Sequence, residues 1–331
     1  MKRFFSIVIF VVLFAFSIHI ANDVFVEKYM NRPYMLSKEL ENIDDIDVQI
    51  YGSCHAYTSF NSKLFTEEYG LYSYNMSGPG EIMPTTYLRM YERFKTDKPE
   101  IAVVEIWGIN AYETYEPTYK ILDDYLRISV EDIPFSFEKL EVINDFENLD
   151  IIDDNFALLK YKDRLTNFSI NELDFDYSFD AAYEKYCAEE ELYVYKEMKS
   201  RLENNGFKDT SYWPLYDYEK QQAVIGENEK LEVEEDLLKY VDKIIDLCEE
   251  NDVKLMFYRA PYRSTQNELR KANWLADYLA EKDVLFVDVE PEIEWDYVCD
   301  FYDYEHLSRY GAEKVTRYLG DIIIEELGSS K

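Results

Sequence analysis

The chain has 331 residues, of which 47% are hydrophobic, so it is long enough to bury a sizeable core and is not a disordered polymer. Its 68 acidic residues outnumber 35 basic ones, and the net charge of -33 excludes a protein that neutralises nucleic-acid phosphates. The four cysteines show no C-x-x-C spacing, and there are three histidines. Neither a disulfide framework nor a metal site is predicted, and no cofactor is expected.

The N-terminus predicts a membrane anchor. Residues 4–21, "FFSIVIFVVLFAFSIHIA", are mostly apolar and follow the basic "MKR". As a helix this run would span roughly 27 Å, close to the hydrocarbon thickness of a bilayer. Basic residues before it and acidic residues after it place the rest of the chain outside the cytoplasm. We expect residues 1–22 to be an uncleaved single-pass anchor, with a cleaved signal peptide as the alternative, and 23–45 to be a polar stalk with some helix.

Predicted strands and helices alternate after this stalk. The strand segments are "DVQIY" (47–51), "LYSYNMS" (71–77), "EIAVVEIWG" (100–108), "VKLMFYRAP" (253–261) and "VLFVDVE" (284–290). The third is almost continuously apolar, as is typical of a strand buried on both faces. Alternating strands and helices predict an α/β domain over 46–331 with a mostly parallel sheet covered by helices. Residues 111–230 interrupt the pattern, and we expect this acidic, mostly helical insertion to lie over one end of the sheet.

Polar clusters follow four of the predicted elements. They are "GSCH" (52–55), "NMSGPG" (75–80), "GIN" (108–110) and "DYEH" (303–306). Open α/β sheets bind ligands beyond the carboxyl ends of their strands, which is where these clusters are expected to lie. In the first cluster a glycine permits the sharp strand-to-helix turn that exposes a nucleophile, and from the turn alone either the serine or the cysteine qualifies.

These four blocks, in this order, resemble the SGNH (GDSL-type) hydrolase superfamily. "YGSCHAYTSFN" and "DFYDYEHLSRYGAEKVTRYL" resemble phrases of its extracytoplasmic, membrane-anchored branches, which include DltD-like proteins of teichoic-acid D-alanylation and AlgX-like polysaccharide O-acetyltransferases. The resemblance covers about 47–110 and 253–325 and leaves the insertion unmatched. It implies a three-layer α/β/α, flavodoxin-like fold. It also implies an acyltransferase or esterase that acts on a cell-envelope polysaccharide or teichoic-acid-like polymer.

The resemblance assigns the reacting groups. Aligned on the family's G-D-S or G-S-S turn, the third position is Cys54, which makes the cysteine the nucleophile and leaves Ser53 in a structural position. His306 would be the general base, and Asp303 would orient it. A thiolate is intrinsically a better nucleophile than a hydroxyl group, and a helix N-terminus beside a histidine lowers its pKa. His55, the next residue, is expected to point aside and to cap or line the cleft.

An oxyanion hole is implied by the same resemblance. Its donors would be the nucleophile's own amide, the amide of Gly80, with Gly78 as the second choice, and the side chain of Asn110. Arg259 and Arg263 flank "APY" after a strand. They could bind a carboxylate or phosphate of the polymer or pair with nearby acidic residues.

Other classes of function remain open from the sequence. The exchange of serine for cysteine is also compatible with a silenced site in a membrane-tethered scaffold or polymer-binding subunit. Metal-dependent hydrolysis is disfavoured because so few histidines leave only unclustered carboxylates as ligands. By resemblance, the acyl group would be supplied through the membrane by a partner, an MBOAT-type acyltransferase.

Overall fold

A parallel sheet lies at the centre of the protein. The computed structural model describes residues 2–25, 31–111, 129–145, 179, 180, 183, 192–212 and 223–328. In these ranges the strands are β1 (Val48–Tyr51), β2 (Ser73–Asn75), β3 (Ile101–Glu105), β4 (Lys254–Arg259) and β5 (Leu285–Asp288). They lie in the order β2-β1-β3-β4-β5, and all neighbouring pairs are parallel. The predicted α/β fold with a parallel sheet is confirmed.

The helices of the described ranges alternate with these strands. They are α1 (Lys2–Phe25), α2 (Arg32–Leu40), α3 (Cys54–Ser59), α4 (Ser62–Tyr69), α5 (Met83–Arg93), α6 (Phe137–Asp145), α7 (Leu192–Glu203), α8 (Glu235–Glu250), α9 (Gln266–Glu281) and α10 (Arg309–Gly328). Two short 3-10 helices, Ile106–Asn110 and Glu290–Glu292, follow β3 and β5. Local signals fix several ends: Thr265 caps α9 together with Glu268, and Gly70 ends α4 with a φ of 77°.

Alternate residues of each strand enter cores on opposite faces of the sheet. In β3, Ala102 and Val104 pack with α5, α8 and α9, whereas Ile101 and Val103 pack with α3, α4 and α10. This two-sided burial explains why the strand reads as an unbroken apolar run. The strand order reverses between β1 and β3, so the crevice at their carboxyl ends is the place where an open sheet binds its ligands.

The N-terminal segments differ in part from expectation. Helix α2 lies within the predicted stalk, 23–45, yet Met35, Leu36 and Leu40 are buried in the main core. The stalk prediction is therefore wrong for this stretch, because its apolar residues recur on one helix face and pack against the domain. Helix α1 covers most of the predicted anchor. Among the residues that the structure describes, no helix is long and apolar enough to cross a membrane.

The described pieces of the insertion contact the edge of β2 and the loops at the carboxyl end of the sheet. The main chain of Asn205 accepts a hydrogen bond from the Asn75 amide, and its side chain donates to the Ser73 carbonyl, which covers part of the edge of β2. Arg201 donates to the Ser77 carbonyl, and the Thr210 hydroxyl donates to the carbonyl next to His306, that of Leu307. The insertion thus braces the turn after β2 and the loop before α10. The remainder of 111–230 lies outside the described residues.

Candidate active site

The turn between β1 and α3 requires a glycine. Gly52 has a φ of 131°, which side-chain-bearing residues rarely adopt, and a Cβ atom there would lie 2.8 Å from the Cβ of Glu105. The next residue, Ser53, caps α3 by accepting a hydrogen bond from the amide of His55. This places Cys54 at the first helical position, where the amide dipoles favour a thiolate.

The Cys54 thiol, which is partly exposed, interacts with two imidazoles. Burial alone would raise the pKa of this thiol, but the charge of His55 and the interactions with His306 lower the pKa well below its ordinary value. The two imidazole rings are nearly parallel, with their centroids 5.5 Å apart and an interplanar angle of 17°. A thiol that interacts with two imidazoles therefore lies at the carboxyl end of β1.

Asp303 holds His306 in place. Both carboxylate oxygens of Asp303 accept from Nδ1 of the imidazole, at 2.9 and 3.1 Å, so Nε2 is the nitrogen left for Cys54. The aspartate is itself positioned by the amide of Glu305, which donates to it at 2.8 Å. Burial lowers the pKa of His306, yet the bonds to Asp303 and Cys54 outweigh it and raise this pKa to about 9. The sequence-predicted nucleophile, base and orienting residue are thus brought together.

His55 does not point aside, contrary to expectation. It is 3% exposed, and its ring lies 4.5 Å from the ring of Tyr262 and 5.4 Å from that of Trp107. Its Nδ1 is 3.0 Å from the Ser53 hydroxyl, which donates to Oε2 of Glu105 at 3.0 Å. A second imidazole linked to a carboxylate therefore faces the thiol from the buried side.

The predicted oxyanion donors differ in the hydrogen bonds that they already make. The amide of Gly78 donates to the Gly52 carbonyl at 3.2 Å, so it joins two turns and is not available as the second-choice donor. Gly80 follows with a φ of 64°. Asn110 is buried, and its Nδ2 donates one hydrogen to the Tyr262 hydroxyl at 3.1 Å. Since an amide nitrogen carries two hydrogens, Asn110 retains a second donor.

The two predicted arginines have separate surroundings. Arg259 is buried and contacts Asp288 at 2.9 Å and Glu290 at 2.8 Å, so its charge is already matched. Arg263 is 40% exposed, lies over the ring of Tyr304 and is 3.7 Å from Glu305. Of these two arginines, Arg263 is therefore the one linked to His55, through Glu305.

The sequence interpretation missed Glu105 and Glu305. Glu105 is the last residue of β3 and is fully buried; burial raises its pKa to about 6 against the opposing effects of His55, Trp107 and Ser53. A lone acid at the end of an otherwise apolar strand was the available signal. Glu305 lies 3.8 Å from Nε2 of His55 and has no such signal. Within the described ranges, no group of acidic, histidine and cysteine side chains is arranged to hold a metal ion.

Comparisons with known proteins add no relative. No protein-family model matches the chain, and no curated protein matches it significantly. The site therefore stands on its own geometry and on the sequence blocks described above.

Proposed function

We propose that this protein is an SGNH-type acyltransferase or esterase with Cys54 as its nucleophile. The observation that carries the proposal is the thiol with lowered pKa beside an imidazole that a carboxylate holds through Nδ1. This is the arrangement that nucleophilic acyl transfer requires: a nucleophile, a base in contact with it and a group that orients the base. Its position at the strand-order reversal of a parallel sheet adds support.

The chemistry would proceed in two steps through a thioester. The Cys54 thiolate attacks the carbonyl carbon of the donor, and the leaving oxygen takes a proton from His306. An acceptor hydroxyl, or water, then gives its proton to His306 and attacks the thioester, which releases the thiolate. The amides of Cys54 and Gly80 and the second hydrogen of Asn110 would bind the oxyanion formed in each step.

The proposed substrate rests on the resemblance, and the proposed place of action rests on the apolar N-terminal run and its flanking charges. We propose that the protein is tethered to the cell membrane through its apolar N-terminal segment and acts outside the cytoplasm. The acceptor would be a cell-envelope polysaccharide or teichoic-acid-like polymer, and the donor would come from an MBOAT-type membrane partner. Protease accessibility of the tagged full chain in intact cells tests the orientation, since only an outward-facing domain is cleaved without lysis.

The reaction is tested with the full-length chain and a generic acetyl ester. We expect the intact mass to show one acetyl adduct on the wild-type protein. Both the adduct and turnover should disappear in Cys54→Ala, while Cys299→Ala, which removes another partly exposed thiol, should retain them. His306→Ala should slow turnover because no group then shuttles the proton.

Three other outcomes would reject a cysteine enzyme. Turnover that is absent in the wild type and appears in Cys54→Ser would identify a silenced serine site. An adduct that persists in Cys54→Ala would place the nucleophile elsewhere. The assay is repeated with the proposed membrane acyltransferase and its acyl donor added. If no variant then shows turnover or an adduct, the result favours the non-catalytic scaffold.

A further inference from the structure

A second carboxylate–imidazole relay reaches Cys54 from the interior of the domain. The hydroxyl of Ser53 has one hydrogen, and Oε2 of Glu105 accepts it at 3.0 Å. The Ser53 oxygen must then accept from Nδ1 of His55, which lies at 3.0 Å. The other oxygen of Glu105 accepts from the Trp107 amide at 2.9 Å. The direction of these bonds leaves Nε2 of His55 as the nitrogen that gains and loses a proton.

The backbone is shaped to allow this relay. Glu105 approaches the β1–α3 turn closely only because Gly52 has no side chain; an added Cβ would lie 2.8 Å from Glu105 Cβ and 3.1 Å from its carbonyl oxygen. Ser53 is fully buried, so water does not compete for its bonds. Nε2 of His55 is buried without a hydrogen-bond partner among the described residues, although the ring's charge acts on the Cys54 thiol. An imidazole whose Nδ1 is held by Ser53, and whose Nε2 has no hydrogen bond and a 3.8 Å ion-pair contact with Glu305, is available to the thiol.

The two imidazoles differ in access to solvent. His55 is 3% exposed and enclosed by Tyr262 and Trp107, whereas the side chain of His306 is 24% exposed. A substrate hydroxyl can therefore reach His306, while the enclosed His55 is shielded from it. Burial would lower the pKa of His55, but interactions with Cys54, Glu305 and Glu105 raise this pKa well above its usual value.

We propose that Glu105, Ser53 and His55 form this second relay and that the two imidazoles divide the work. His55 takes the proton of the Cys54 thiol and keeps it, so that an imidazolium faces the thiolate in the resting enzyme and again when the thioester breaks. His306 exchanges protons with the leaving group and the acceptor. The division of work rests on the proposed acyl transfer; the relay itself does not, and it can be measured without a substrate.

Several groups around His55 contribute to its titration. The titratable side chains that face it from neighbouring elements are Cys54, Glu105, Tyr262, Glu268, Glu305 and His306. Arg263 acts on it indirectly through Glu305. A variant of the relay must therefore be compared with a variant that leaves all of these groups in place.

The relay is tested by nitrogen NMR of the full chain labelled only at histidine. The chain has three histidines, so the spectrum is simple, and His55→Gln and His306→Gln assign two of the signals. We expect neutral His55 to carry its hydrogen on Nδ1 and to titrate at Nε2. Ser53→Ala and Glu105→Gln should each lower the His55 midpoint by roughly one pH unit or more and leave that of His306 nearly unchanged. Glu105→Gln keeps the Ser53 cap of α3, so this variant still tests the relay if Ser53→Ala misfolds.

Ser59→Ala is the matched control, because Ser59 is a buried serine on the same helix that bonds to Tyr258 instead. It should leave both histidine midpoints where they are. A neutral His55 protonated on Nε2, or a midpoint equal in Glu105→Gln, Ser59→Ala and the wild type, would overturn the relay.

The division of work is tested by the pH dependence of Cys54 alkylation with iodoacetamide, followed by peptide mass spectrometry. A free thiol has a pKa of about 8.5, and the wild-type midpoint should lie well below it. His55→Gln should raise this midpoint more than His306→Gln, whereas His306→Gln should cost more turnover of an acetyl ester. The reverse order in alkylation would assign the counter-charge to His306 and overturn the proposal. Absence of ester turnover in the wild type would count against the proposed function and leave the histidine titrations unaffected.

Discussion

Two clusters of polar side chains at the carboxyl edge of the same sheet differ in whether their polar atoms have partners. At β4 and β5, buried Arg259 is matched by Asp288 and Glu290 within 3 Å. At β1 and β3, buried Asn110 Oδ1 and His55 Nε2 have no hydrogen-bond partner among the described residues. Satisfied charges fix a structure, whereas buried polar atoms without partners cost stability and mark places where a ligand or reaction supplies the partner. In this respect a structural ion cluster differs from the proposed reactive centre.

The largest expected effect on stability comes from a substitution of Arg259. Arg259→Met leaves Asp288 and Glu290 without their counter-charge, and removing one partner of a buried pair typically costs about 3–5 kcal/mol. We expect the free energy of unfolding in urea to fall by this amount. Arg263→Met is the control: its side chain is 40% exposed, so the expected loss is below about 1 kcal/mol. A stable Arg259→Met protein that has lost substrate affinity would instead make Arg259 a binding residue.

The substitution Asn110→Ala tests whether Asn110 acts as an oxyanion donor at the proposed reactive centre. Removal of one oxyanion donor typically lowers turnover by about 10²–10³-fold, and we expect a loss of this size with an acetyl ester. Alkylation of Cys54 by iodoacetamide forms no oxyanion, so its rate should stay close to that of the wild type. Equal losses in both reactions would show that Asn110 acts by holding Tyr262, and through it His55, rather than by binding the substrate.

The same comparison shows what the sequence could predict. The strands and their parallel pairing follow from apolar runs that alternate with helical segments, which are local signals. The assignment of Cys54, Asp303 and His306 follows from the resemblance of the sequence blocks that contain them. The relay through Glu105 depends on β1 and β3 lying side by side in register, with Ile50 opposite Val103. That contact joins residues about fifty positions apart, so no periodicity or spacing reports it.

Arg259 and His55 illustrate a second reason why the sequence did not predict all of the contacts at the sheet edge. Arg259 ends a strand and His55 lies in a polar block, and the role of each depends on which neighbours the fold supplies. The register that pairs Arg259 with Asp288 gives the arginine its partner, and the packing of Tyr262 encloses the histidine. The burial of α2 was missed for a similar reason, because a short amphipathic helix next to an apolar segment resembles a polar connection until the surface that it covers is known.

The contribution of His306 to the free energy of unfolding should also depend on pH in a defined direction. The pKa of His306 is about 9 in the folded protein, above the value of about 6.5 expected when unfolded. Its protonation therefore contributes fully to stability below about pH 6.5, and this contribution is lost as the pH rises through about 9. Urea unfolding of the wild type and His306→Gln should show a gap in free energy that narrows over this range. A gap that stays constant or widens would mean that the imidazole is not held as a cation.

The smallest expected effect comes from a thiol outside the reactive centre. Cys248 on α8 is buried among apolar side chains, and burial, helped by Glu249, raises its pKa to about 12. It should therefore resist iodoacetamide at neutral pH while Cys54 reacts. Cys248→Ala should leave turnover and the extent of alkylation unchanged and lower the free energy of unfolding by only about 1 kcal/mol, since a small group is removed from the core. Rapid alkylation of Cys248 in the native protein would show that exposure, rather than the two imidazoles, decides which cysteine reacts.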